Sequence, residues 1–263
     1  MLRQKMLNFI FRIIRFIFIS ILGLLIYQTL LTDILTKGYH IIAYIIFWLF
    51  SSYIILPIFN KFVSKQYLPN YFIGRARTTD GLLGDPINLA FIGSEEDIKK
   101  LFLEVGWTLA DPISLKSSIR ITFSSIMKKS YPNAPVSSLF LFNQKQSFAL
   151  EKEISGNPRE RHHIRFWKTP KNWYLPGGFQ TDWLAAATYD KKVGLSLFTG
   201  QLTHKISSNI DKERDFVIQT LSKNHQQLTV KTVKNFTSSY HGRNGGGDHI
   251  YTDGSLPFID LTK

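Results

Sequence analysis

"PRERHHIRFWK", Pro158 to Lys168, sets two histidines among arginines and runs into an apolar end. On a β-strand, alternate side chains share a face. Arg161, His163, Arg165 and Trp167 then fall together, and His162, Ile164 and Phe166 lie opposite. The second set reads as core-facing, with His162 at its rim. The first set is a basic row. The preceding "SFALEKE", Ser147 to Glu153, reads as a partner strand across a "GNP" turn. An antiparallel register there puts Glu153 opposite Arg161, Glu151 opposite His163 and Ala149 opposite Arg165. Two readings stay open. The row is a salt-bridged surface held by ordinary cross-strand pairs, or it grips an anion, with Arg165 left without a cross-strand acid. A metal shared by His162 and His163 is disfavoured, because adjacent strand residues point apart.

Further short apolar runs flank this hairpin, separated by turn signals: "SLFLF" at Ser138, "WLAAATYD" at Trp183, "GLSLFTG" at Gly194 and "QLTVKTVK" at Gln227. "INLAFIG", Ile87 to Gly93, suits a buried strand. Ser94 then caps a helix with Glu95, Glu96 and Asp97 in its first turn. Ile98, Leu101, Phe102 and Val105 share one face of it, and Gly106 ends it. A second helix is expected in "SLKSSIRITFSSIMKK" from Ser114, and a third in "SNIDKERDFVIQTLSKN" from Ser208. The soluble part therefore reads as α+β, with a largely antiparallel sheet and about three helices.

The first sixty residues differ in kind. "FIFISILGLLIYQTLL", Phe16 to Leu31, and "IIAYIIFWLFSSYIILPIF", Ile41 to Phe59, carry no charge. A membrane span needs about 20 apolar residues, so a transmembrane helical hairpin is expected near residues 7–31 and 39–59. Arg3, Lys5, Arg12 and Arg15 precede the first span, and Lys61, Lys65, Arg75 and Arg77 follow the second. Lys37 is the only Lys or Arg between them. Positive charge stays inside, so the soluble domain is expected on the cytoplasmic side of a cell inner membrane. The division is then a hairpin over 1–65, a linker over 66–80 and a soluble domain over 81–263.

The net charge of +13 points to an acidic partner. The absence of cysteine excludes disulfides, thiolate metal sites and a cysteine nucleophile. "GRNGGGD", Gly242 to Asp248, is a second candidate site. Gly245, Gly246 and Gly247 free the backbone to aim amides at an anion, and Arg243 adds a guanidinium. It is neither a P-loop nor a Rossmann turn. His241 and Asp248 flank it as further polar residues. Asp211 and Asp215 share a helix face, but acids in a first turn also complement the helix dipole. His204 is a lone histidine at a strand end. No Gly-x-Ser-x-Gly and no His-Glu-x-x-His appears, no metal site is read, and the cofactor is unknown.

The segments "GDPINLAFIGSEEDI", "GWTLADPISLKSSIR", "YPNAPVSSLFLF", "NPRERHHIRFW", "VGLSLFTGQLTHKI" and "GRNGGGDHIYTDG" together resemble the LssY C-terminal domain family, over about Gly81 to Gly254. In longer relatives this domain is appended to DedA-like membrane segments and a phosphatidic-acid-phosphatase-type module. The resemblance implies lipid or lipid-linked phosphate metabolism at a membrane. It brings no assigned catalytic residues, and this chain lacks the phosphatase module.

Two functions of different class follow. The first is an accessory or binding module for an anionic, phosphate-bearing lipid headgroup or a membrane partner. The second is a hydrolase or transferase acting on a phosphate-bearing lipid or metabolite. Arg161, Arg165 and Arg243 would hold its phosphate, and His163, His162, His204 or His241 would move a proton. A nucleic-acid partner is disfavoured, because no recognition-helix signature is present. Convergence of the histidines and arginines in one concave pocket would favour the enzyme, and scatter over a convex face the module.

Overall fold

In a computed structural model, the protein is described over residues 40–67, 74–112, 136–154, 157–175, 177–225, 228–237 and 242–262, with isolated positions besides. The expected helix from Ser114 and the candidate His241 lie outside the described residues. So does nearly all of the first expected span.

The first continuously described element is α1, a helical run of His40–Phe50, the π-helical turn Ser51–Ile55 and Leu56–Tyr67. Within it Ile41–Ser64 has a mean hydropathy of 2.2 and is long and apolar enough to cross a membrane. It is the one such helix among the described residues. Two short strands follow, β1 (Arg75–Thr78) and β2 (Leu83–Pro86), then β3 (Leu89–Ile92). Helix α2 (Glu95–Glu104) starts as its residues dictate: Ser94 Oγ accepts from the Asp97 amide, and three acids fill the first turn. Next come β4 (Thr108–Leu109), β5 (Leu139–Leu141), β6 (Gln144–Lys145), β7 (Phe148–Ile154) and the twelve-residue β8 (Asn157–Lys168). The chain closes with β9 (Trp183–Leu195), β10 (Leu202–Ile206), α3 (Asp211–Asn224), β11 (Thr229–Val233) and β12 (Leu256–Asp260).

The architecture is α+β. The larger sheet runs β11-β12-β3-β9-β8-β7-β4, with β10 continuing along β9, and the smaller runs β2-β1-β5-β6. All pairings are antiparallel except β12 with β3. The β7–β8 register places Glu153 opposite Arg161, Glu151 opposite His163 and Ala149 opposite Arg165, as the hairpin reading requires.

The two faces of β8 meet different layers. Ile164 and Phe166 join Phe91, Ile98, Leu101, Phe102, Val217 and Leu221 in a core under the two domain helices. Trp167 joins Ala76, Leu139, Leu141, Leu184 and Leu256 in a second core, against the smaller sheet. The large sheet is thus sandwiched, and the row Arg161–His163–Arg165 faces the smaller sheet. The surface reading of that row is corrected here. All three side chains are buried, Arg161 and His163 at 2 % exposure and Arg165 at 4 %.

Three further expectations change. "GLSLFTG" is not a strand: β9 ends at Leu195, and residues 196–201 form a loop before β10. The stretch read as linker carries β1, which pairs with β2 and β5. And β12, one strand in from the β11 edge of the large sheet, gives no strand signal, because its Pro257 disguises a short apolar run.

Candidate functional site

Buried arginines need partners, since an unpaired charge away from water is very costly. Arg165 finds Asp85 of β2, with Nη1 2.6 Å from Oδ2. Its Nε and Nη2 also donate to the carbonyl and hydroxyl of Ser137. The expectation that Arg165 lacks an acid therefore fails: the acid comes from the other sheet, not from a neighbouring strand. Arg161 donates through Nε to Asp190 of β9 at 3.0 Å, and through Nη1 to Glu151 at 2.5 Å. Glu153, the expected cross-strand partner of Arg161, instead accepts from the Tyr131 amide. Arg161 Nη2 has no hydrogen-bond partner among the described residues.

His163 sits between the two arginines. Its Nε2 is 2.7 Å from Arg165 Nη1 and 2.6 Å from Thr188 Oγ1. An arginine N–H can only donate, so Nε2 accepts and the ring proton lies on Nδ1. That atom faces Asp190 Oδ2 at 3.4 Å. Thr188, His163 and Asp190 mimic a hydroxyl–imidazole–carboxylate relay, but Thr188 is fully buried and no substrate can reach it.

The ionisation of this cluster follows from burial and charge. Burial pushes the Asp190 carboxyl up, but His163, His204 and Arg161 overcome it and hold the group well below the carboxylate range. Asp85 is likewise held down by Arg165 and His163 against its burial. Glu151 goes the other way. Its burial, with Asp190 and Glu153 nearby, outweighs Arg161 and pushes it up to about 8. At neutral pH Asp190, rather than Glu151, therefore answers the Arg161 charge. Hydrogen-bond donors are left over on Arg161 Nη2.

These residues floor a cavity of about 590 Å³. Arg161, His163, Arg165, Asp85 and Asp190 form one wall, and His204 and Thr203 of β10 a second. Asn244, Gly245 and Gly246 form a third, and Tyr53 of α1 closes the side toward the apolar helix. The basic strand and the glycine stretch thus share one enclosure. The glycine loop is held from within: Asn244 Oδ1 accepts from the amides of Gly246 and Asp248, and the Asn244 carbonyl accepts from Gly247. Two of the three glycine amides are therefore spent inside the loop, not aimed outward. Asp248 pairs with Lys205 at 3.2 Å.

Other candidates lie elsewhere. Arg243 donates to its own loop at the Gly247 carbonyl. It lines a second cavity of about 510 Å³, with Val63, Leu83, Phe198 and His249, which shares Leu82, Asn244 and Gly245 with the first. His162 occupies the opposite face of β8. It stacks on Phe216 at 4.0 Å between ring centroids, and its Nδ1 lies 2.8 Å from Glu213 Oε2, locking α3 onto the sheet. Asp211 and Asp215 both pair with Arg214, together with Asp253, which is the structural role expected of them. Asp85 and Asp190 were missed. The signal for Asp190 was parity: it ends "WLAAATYD" directly opposite Arg161.

A buried ionic row, a glycine loop and a helix long and apolar enough to cross a membrane meet around one cavity, which defines an α+β domain with a recessed polar site. The chain belongs to the family described as LssY C-terminus, whose model matches residues 65–256. No curated protein and no solved structure matches it.

Proposed function

We propose that the protein holds the phosphate-bearing headgroup of a membrane lipid in the cavity between the basic strand and α1. One observation carries this reading: a single enclosure is walled by Arg161, His163 and Arg165 on one side and by Tyr53 of the apolar helix on the other. Arg161 Nη2 supplies two unspent N–H donors, and the Ser137 hydroxyl, which accepts from Arg165, supplies another. An anion answered by such charge-assisted bonds in a recessed site gains more than on an open basic face. The lipid metabolism implied by the family resemblance fits the same chemistry. The anchoring part of the proposal is a two-span hairpin with the domain on the cytoplasmic side, supported by the apolar helix and the basic residues around it.

A second reading is favoured by the convergence of His163 and His204 with Asp85 and Asp190, whose carboxyls are both displaced from their ordinary range. Displaced groups gathered in a cleft mark catalytic sites as well as binding sites. In that reading the bound phosphate ester is hydrolysed or transferred.

The test is titration of the full-length chain in detergent with short-chain phosphatidic acid and with the matching diacylglycerol, which lacks only the phosphate. Phosphatidic acid should bind at least tenfold more tightly, and Thr203→Trp should erase the difference by filling the cavity. Equal affinity for the two lipids would refute the headgroup reading. Release of inorganic phosphate during the titration would select the catalytic version.

A further inference from the structure

We infer that the β9–β10 loop and its flanks, Leu195 to Leu202, enter the acyl region of the bilayer alongside α1. The stretch "LSLFTGQL" contains no charge and four large apolar residues. All four are exposed: Leu195 at 53 %, Leu197 at 67 %, Phe198 at 39 % and Leu202 at 55 %. Large apolar side chains gathered on one exposed loop mark an interaction surface.

What covers this surface follows from its neighbour. The loop is tied along α1 by three hydrogen bonds: Trp48 Nε1 to the Gly200 carbonyl, Gln201 Nε2 to the Ser52 carbonyl, and Asn60 Nδ2 to the Phe198 carbonyl. From Trp48 to Asn60 a helix rises roughly 18 Å, and this stretch lies inside the segment apolar enough to span a membrane. A loop bound along that length shares the depth of the helix it binds. The contact is close: Gly200 has φ +68°, and a Cβ there would stand 2.7 Å from Ser52 Oγ.

Five of the loop's backbone amides also find partners within the protein, the internal satisfaction that lipid demands of backbone. The Ser196 amide donates to Gln201 O, Leu197 to Gly246 O and Gly200 to Ser196 O. The amides of Thr199 and Gln201 donate to the hydroxyls of Ser196 and Thr199. The carbonyls of Phe198 and Gly200 are the ones α1 engages. One loop presents Ser196, Thr199 and Gln201 to the cavity and Leu197 and Phe198 outward. This inference goes beyond the headgroup reading, since the loop's depth is measurable whether or not the cavity holds a ligand.

The chain has no cysteine, so single labels are clean. Leu197→Cys and Phe198→Cys, each carrying an environment-sensitive fluorophore, are placed in the full-length chain in phospholipid nanodiscs. Leu103→Cys on α2, where Leu103 is 52 % exposed, serves as the solvent reference. Both loop labels should be quenched severalfold more by acyl-chain spin labels than the reference, and should be protected from aqueous iodide. Iodide quenching equal to the reference would overturn the inference. Protection from iodide together with protection from the lipid quencher would also overturn it, by showing that protein rather than lipid covers the loop.

Discussion

At the scale of single residues, the cavity rests on buried charges that hold one another in place. Replacing Asp85 by Leu should leave Arg165 buried without its acid, at a cost of about 3–5 kcal/mol. The double variant Asp85→Leu/Arg165→Met should recover most of that loss, since an apolar pair needs no compensation. Urea unfolding of the full-length chain in detergent measures both. Glu151 predicts a pH dependence whose sign is set by its raised value. Its ordinary 4.5 becomes about 8 in the fold, so the folded chain holds that proton more tightly than the unfolded chain. The stability this contributes is complete below pH 4.5 and falls as pH rises to 8. Glu151→Gln should flatten the stability profile across that window. The lowered Asp85 and Asp190 act oppositely, and their contribution is lost on acidification below 3.8. Which residues share the site was half legible in the sequence. Parity alone put Arg161, His163 and Arg165 on one face. Asp85 was not legible, because it comes from another sheet, and Asp190 carried only its parity, because a long connection hides the register of its strand.

At the scale of elements, the β7–β8 register could be read because the turn is short and Ile164 and Phe166 need the core. A one-residue slip would have put both in the wrong layer. Strands β1, β2 and β12 could not be read in the same way. They have four, four and five residues, too few for a period to show, and Gly84, Pro86 and Pro257 break their patterns. The loop between β9 and β10 looked like a strand, because its apolar residues suit lipid or a core equally well. Its shape depends on the glycine loop beside it. Gly247 has φ +85°, and a Cβ there would come within 2.3 Å of Leu197 Cβ. Gly247→Ala should therefore add about 1–2 kcal/mol of backbone strain to a steric clash, and should displace residues 196–201. Limited proteolysis of the full-length chain should then cut in that loop several times faster than in the parent. An unchanged cleavage pattern would show that the two loops are independent.

At the scale of the whole molecule, a basic domain is tied to an apolar helix through its own loop, and the cavity lies at the junction. The charge distribution predicts the side of the membrane: a reporter fused after Lys263 should report cytoplasmic exposure, and exposure on the far side would reverse the assignment. The central claim is that the cavity at this junction holds a phosphate-bearing lipid headgroup. The most direct measurement is photocrosslinking from inside the cavity. A diazirine-bearing analogue of leucine, small enough to leave the cavity open, replaces Thr203, the full-length chain is irradiated in its native membrane, and intact-mass spectrometry reads the adducts. The same probe in place of Leu103 is the control. Adducts with the masses of phosphate-bearing lipids, from Thr203 and not from Leu103, are the predicted result. Adducts with phosphate-free lipids alone, or no lipid adduct from Thr203, would contradict the account.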